Sequence, residues 1–215
     1  MRAILLVIFL TSACQFLNSD YDKLMNPIKK IKLAEKKGGT SNPIYDGFVE
    51  PDFPDENENI KTLKGVDSNR DGVRDDIEIW INRTAEDLYV RSALKESYRK
   101  QMELFLSLYN NEPEEKVHLH LSLSSAIDGC VAIVTSPYDK SYLKKYQKDA
   151  ITYYSNTIVN TLFANTSLRS KQVAKWNGFQ FVGTMGGDSS VECIKYPFGK
   201  RYKEIIDSYK TNNPN

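Results

Sequence analysis

The chain has little histidine, little cysteine, almost no net charge and no internal repeat. Two histidines in 215 residues restrict imidazole chemistry to His118 and His120, so a Ser-His-Asp site or a histidine-held metal would have to use one of them. Three cysteines without C-x-x-C spacing exclude a zinc ribbon and a dithiol redox motif. A formal net charge of +1 gives no basic field, so nucleic acid is not expected as a partner. There is no G-x-S-x-G elbow, because Gly187-Asp188-Ser189-Ser190-Val191 lacks the glycine after serine. There is no phosphate loop either, because Gly183-x-x-Gly186-Gly187 is not followed by Lys-Ser/Thr. Paired carboxylates for glycoside chemistry cannot be singled out, since the conspicuous acids fall in one loop. Beyond the N-terminus, no stretch reads as apolar enough to cross a bilayer.

What is present is a twelve-residue loop, DSNRDGVRDDIE, over Asp67–Glu78. It satisfies D-x-[DN]-x-[DN]-G-x5-E at every specified position, a spacing that wraps hard oxygen donors around a calcium ion. Asp67, Asn69 and Asp71 occupy positions 1, 3 and 5, and Gly72 supplies the turn. Val73 offers a main-chain carbonyl, Asp75 binds directly or through water, and Glu78 binds with both oxygens. Ca2+ is therefore the expected cofactor, at an affinity on the order of 10⁻⁴–10⁻³ M. The alternative is an acidic turn that caps a helix without metal. Position 8 is Arg74, where paired loops carry an apolar residue, and no second copy of the loop occurs. The expected site is solitary and structural.

The first residues give an address. Arg2 is a short basic region, Ala3–Leu10 is apolar, and Leu10-Thr11-Ser12-Ala13-Cys14 ends in small residues and a cysteine. This resembles a bacterial lipoprotein signal peptide (residues 1–13), which implies cleavage before Cys14 and diacylation of its sulfur. Here Leu10 lies four residues before the cysteine, where three is commoner; an ordinary signal peptide is the alternative. Gln15 resembles the residue that permits transfer to the outer membrane. The implied location is a lipid anchor there, on the periplasmic face or the cell surface. If Cys14 is acylated, Cys130 and Cys193 remain as an even pair in an oxidising compartment, and a disulfide between them is expected. Two buried thiols are the alternative.

Residues 14–44 read as a tether, crowded with Lys29, Lys30, Lys32, Lys36 and Lys37 and broken by Gly38-Gly39. The apolar Ile28, Ile31 and Leu33 allow a short helix over Pro27–Lys37; a solvated spacer is expected there, and a basic helix on the membrane surface is the competing reading. Residues 45–215 read as one mainly α domain. An irregular lead-in with Phe48 and Phe53 packed down precedes the loop. Apolar spacing at Ile77, Trp80, Ile81, Ala85 and Leu88 then predicts a helix that continues to Tyr109, with a break near Arg91–Leu94. A helix over 113–134 is expected despite the alternation of Val117–Ser124. Further helices are expected over Tyr142–Asn165, from Thr166 or Ser167 to Trp176, and over Lys200–Tyr209. Gly178–Gly187 reads as loop or short hairpin. Thirteen tyrosines include a cluster at Tyr138, Tyr142, Tyr146, Tyr153 and Tyr154, read as helical core before recognition face.

The stretch Gly65–Glu78 resembles thrombospondin type 3-like and EF-hand-like loops of exported bacterial proteins, and especially uncharacterised lipoproteins in which such a loop opens a helical domain. The resemblance spans about fourteen residues plus the signal peptide. It implies calcium ligands and export, and no activity. The expected function is a lipid-anchored calcium-binding module that holds a protein partner in the envelope, an immunity protein or inhibitor among the specific versions. The alternative is an envelope hydrolase using Ser124, Ser125, Ser189 or Ser190 with a histidine.

Overall fold

A computed structural model describes residues 21–85, 87–135, 162–177 and 193–212. Within them the chain is mainly helical. The elements are α1 (residues 21–37), β1 (Ile44–Tyr45), β2 (Phe48–Val49), α2 (Glu56–Asn59), α3 (Asp75–Thr84), α4 (Leu88–Tyr109), α5 (Glu114–Thr135), α6 (Ser167–Asn177) and α7 (Gly199–Asn212). The signal peptide, Cys14, most of the helix expected over Tyr142–Asn165 and the glycine-rich segment Gly178–Gly187 lie outside the described residues. Two compact units divide the chain: Met1–Arg83 with Thr157–Gly178, and Thr84–Asn156 with Phe179–Asn215.

In the first unit, residues 21–37, within the segment read as a tether, form α1. Met25, Ile28 and Lys32 recur at helical spacing and are buried, so the helix has a packed face. Lys32 is buried because its amine finds Glu50 at 2.8 Å and the Pro51 carbonyl at 2.7 Å. Arg83 reaches the same Glu50 carboxylate at 2.7 Å and the Glu35 carboxylate at 2.9 Å. A lysine-rich composition cannot reveal such pairing, which turns solvated-looking charge into packing.

The irregular lead-in also contains order. β1 and β2 pair antiparallel, with Ile44 opposite Val49 and Tyr45 opposite Phe48. Asp46 and Gly47 make the turn at φ 57° and 87°, the left-handed pair a two-residue hairpin requires. Phe48 does not pack down as expected: it is 72 % exposed. The short α2 is capped by Asp55, whose side chain accepts from Glu58 N at 3.1 Å. α3 is the centre of the unit, buried from Asp75 through Asn82 on every side. A helix apolar on one face alone would not be; here Asp75, Asp76 and Glu78 are buried with it.

The second unit rests on α4 packed along α5, with α5 also touching α7. α4 starts as a new helix because the Asp87 side chain accepts from Val90 N at 2.9 Å. The break therefore falls between the end of α3 at Thr84 and the start of α4 at Leu88, before the expected Arg91–Leu94. At its other end Asn111 adopts φ 52°, and Glu112 N donates to Ser107 O at 3.0 Å, a Schellman closure. Contrary to the sequence reading, the α5 stretch Glu114–Val134 is long and apolar enough to span a membrane by length and composition. That stretch packs along α4. Cys130 and Cys193 stand at disulfide distance, 2.04 Å between sulfurs, tying α5 to the segment before α7.

Candidate metal centre

Residues 67–78 turn back on themselves through their own side chains. Asp67 Oδ1 accepts from Asp71 N at 3.2 Å and Oδ2 from Gly72 N at 2.9 Å. Asn69 Oδ1 accepts from the same Asp71 amide at 3.1 Å. Asp71 Oδ1 accepts from Val73 N at 2.8 Å, and Asp75 Oδ1 accepts from Ser68 N at 2.9 Å. The ends are joined by Asp75 N donating to Val66 O at 2.9 Å. Asn69 Nδ2 donates to Glu78 Oε2 at 2.9 Å, linking positions 3 and 12. Arg70 and Gly72 take φ 59° and 86°, so the chain makes its sharp turn where the pattern places glycine.

Val73, Asp75 and Glu78 are buried, while Asn69 and Gly72 are exposed. One side of the loop is thus seated and the other open to solvent. Burial, with the Asp67 and Glu78 carboxylates nearby, pushes the Asp75 carboxyl up to about 6. The donors match a hard cation in kind: carboxylate, amide and carbonyl oxygens, with no sulfur or imidazole. Their placement is less closed than their order. Among the described residues, no three His, Cys, Asp or Glu side chains gather into a metal-holding group, so a cation would have to draw the loop carboxylates inward. The donor set fits calcium in chemistry and in chain order.

Around the loop lies a frame that the sequence does not signal. Arg74, at loop position 8, is buried; it donates to both oxygens of Asp76 at 2.5 and 3.0 Å and to Leu162 O at 2.6 Å. The Tyr21 hydroxyl donates to Asp76 at 2.6 Å. Burial acts to raise the Asp76 carboxyl, but the Arg74 charge and these hydrogen bonds outweigh it and hold the group below the usual range. Burial and then the Asp76 charge push the Tyr21 hydroxyl up. On the other flank Arg169, fully buried, donates to the carbonyls of Asn59, Leu63 and Thr62 at 2.5, 3.1 and 3.1 Å. Asn59 in turn accepts from Val66 N at 3.0 Å. The segment entering the loop is thereby gripped at its backbone from α6.

Among the described residues, the two histidines and Ser124 are placed as follows. His118 and His120 both lie on α5; His118 is 3.3 Å from Glu114 and His120 is 3.5 Å from Glu103. Ser124 is buried on α5, and Ser189 and Ser190 lie outside the described residues. Comparison with family models, with curated proteins and with solved structures gives no match to this chain.

Proposed function

We propose that this is an exported protein anchored by an acylated Cys14, whose loop Asp67–Glu78 binds one structural Ca2+ and whose folded part serves as a protein-binding module in the envelope. The observation that supports the calcium half most strongly is the loop itself. Its side chains at positions 1, 3, 5 and 9 accept from loop amides and those at positions 3 and 12 bond each other, across the entry into the first turn of α3. Bound there, the ion would supply a double positive charge that draws the loop carboxylates inward, two of which, Asp75 and Glu78, are buried. Asp67, Asn69 and Asp71 would present side-chain oxygens, Val73 its carbonyl, and Asp75 and Glu78 the seated side of the shell. The role is that of a clip: the loop joins the lead-in held by Arg169 to the first turn of α3 held by Arg74. Nothing in that arrangement opens a groove on binding, unlike a sensor pair.

The module half is supported by the address that its first fourteen residues resemble. It includes the more specific reading of an immunity protein or inhibitor. In vivo cross-linking in the envelope tests it. A discrete cross-linked species that disappears with Glu78→Gln supports the module; a chain that cross-links to nothing in calcium or in chelator overturns it. Labelling with a palmitate analogue tests the anchor, which predicts incorporation lost with Cys14→Ser.

A further inference from the structure

Asp76 lies between two of the expected ligands, Asp75 and Glu78, in the first turn of α3. It occupies loop position 10, where the pattern asks for no ligand. Its buried carboxylate nevertheless takes four hydrogen bonds. Oδ1 accepts from Arg74 Nε at 2.5 Å and from Ile77 N at 3.0 Å. Oδ2 accepts from Arg74 Nη2 at 3.0 Å and from the Tyr21 hydroxyl at 2.6 Å. Arg74 and Ile77 are near neighbours in the chain; among the described residues, Tyr21 is the donor that comes from another element, α1. The Tyr21 ring is placed in turn by the Lys29 amine, which lies 5.8 Å from its centroid and 2.7 Å from the Glu56 carboxylate. The rest of α1 is lightly held. Met25 and Ile28 are its only buried apolar side chains, and its polar ties include Lys32 to Glu50 and Glu35 to Arg83. A helix with so few apolar contacts opens before the core it lies on.

We propose that Tyr21 is a positioning residue of the calcium loop, so that calcium binding and the seating of α1 stabilise each other. The coupling rests on the calcium reading above. A cation that draws the Asp75 and Glu78 carboxylates inward fixes the turn that carries both, and Asp76 belongs to that turn. Its carboxylate is then held where the Tyr21 hydroxyl meets it. Conversely, α1 seated on Asp76 keeps the turn ordered before the ion arrives, which lowers the cost of binding. Such coupling is reciprocal: what calcium adds to the seating of α1, α1 adds to the binding of calcium. Paired loops brace each other. Here the loop is solitary, and α1 supplies the brace from outside it without giving a ligand.

The test uses the chain from residue 14 carrying Cys14→Ser, so that no acyl group enters the measurement. Calcium alone is the probe, bound at equilibrium in dialysis, with hydrogen exchange of the α1 amides followed in parallel. In the wild type, saturating calcium should slow exchange across α1 about tenfold relative to chelator, and slow α4, in the other unit, by less. Tyr21→Phe removes the hydroxyl and keeps the ring, and circular dichroism confirms its fold. It should weaken calcium affinity about fivefold and cut the slowing in α1 to about twofold. A contact that serves the fold alone would lower the melting temperature equally in calcium and in chelator, with the affinity unchanged. Equal affinity of Tyr21→Phe and wild type therefore overturns the proposal, as does exchange in α1 that bound calcium does not slow. Failure of the calcium reading itself looks different: the wild type then binds no more calcium than Glu78→Gln, and the coupling falls with it.

Discussion

Arg74 donates to both carboxylate oxygens of Asp76, two residues further on, at 2.5 and 3.0 Å, and both side chains are buried. The pair sits where the loop becomes α3, and its remaining reach goes to Leu162 O. Arg74→Met leaves the Asp76 charge buried with its main partner gone and should cost about 3–5 kcal/mol. Adding Asp76→Asn to it should recover part of that loss, because the uncompensated charge is removed. Urea melts of the two variants check this. Equal stability of Arg74→Met and wild type would show the pair to be inconsequential.

Gly65→Ala should also destabilise, by about 3 kcal/mol. Gly65 has φ 71°, and an added Cβ would lie 2.3 Å from Asn59 Oδ1 and 2.4 Å from Arg74 Cδ. Both neighbours belong to the frame of the loop. The variant should therefore lose thermal stability with or without calcium. A melting temperature equal to wild type would contradict the close packing.

Loss of the Cys130–Cys193 link, by Cys193→Ala, should cost about 4 kcal/mol, the loop-closure value for a sequence separation of 63 residues. The wild type under strong reductant should approach the variant. A melting temperature indifferent to reductant would contradict a disulfide at this position.

Asp128 supplies a pH dependence. Burial pushes its carboxyl up to about 6, against hydrogen bonds from Ser97 and Gln101 that favour the charged form. A raised folded value means that the folded state holds the proton more tightly than the unfolded chain. Its ionisation therefore disfavours the fold, with the penalty absent below the usual carboxylate range and fully present above pH 6. Asp128→Asn keeps an acceptor for Ser97 and removes the charge. It should be more stable than wild type at pH 7.5, by an amount on the order of 2 kcal/mol, and equal to it near pH 3.5. Melts across that range check the sign; a variant less stable at pH 7.5 would reverse it.

Much of the helical order is legible in the sequence. The spacing of Ile77, Trp80 and Ile81 marks α3, and Thr166 beside Ser167 marks the start of α6, where Thr166 Oγ1 accepts from Arg169 N at 3.2 Å. Glu114, Glu115 and the run to Val134 outweigh the local alternation of Val117–Ser124 and give α5. What composition hides is charge that packs. Lys32, Arg74 and Arg169 are buried, and each bonds a partner 18 to 110 residues away. A single sequence marks such residues as surface. The α3–α4 break was available in Asp87 before Leu88, a capping signal that the continuing apolar spacing obscures. The turn of the loop could be read from its residue order, with Gly72 in the left-handed region where the pattern places it, because the pattern is local. The frame that grips the loop could not, since it is assembled from α1, α2 and α6.

The central claim is that Asp67–Glu78 binds calcium and thereby stabilises the fold. The direct measurement is the melting temperature of the wild type in 10 mM calcium and in chelator, beside Glu78→Gln. With an affinity on the order of 10⁻⁴–10⁻³ M, that concentration should stabilise by about 1.5–3 kcal/mol, or roughly 5 °C for a chain of this size. Glu78→Gln should melt at nearly one temperature in both conditions. A wild type with the same melting temperature in calcium and in chelator would contradict the claim.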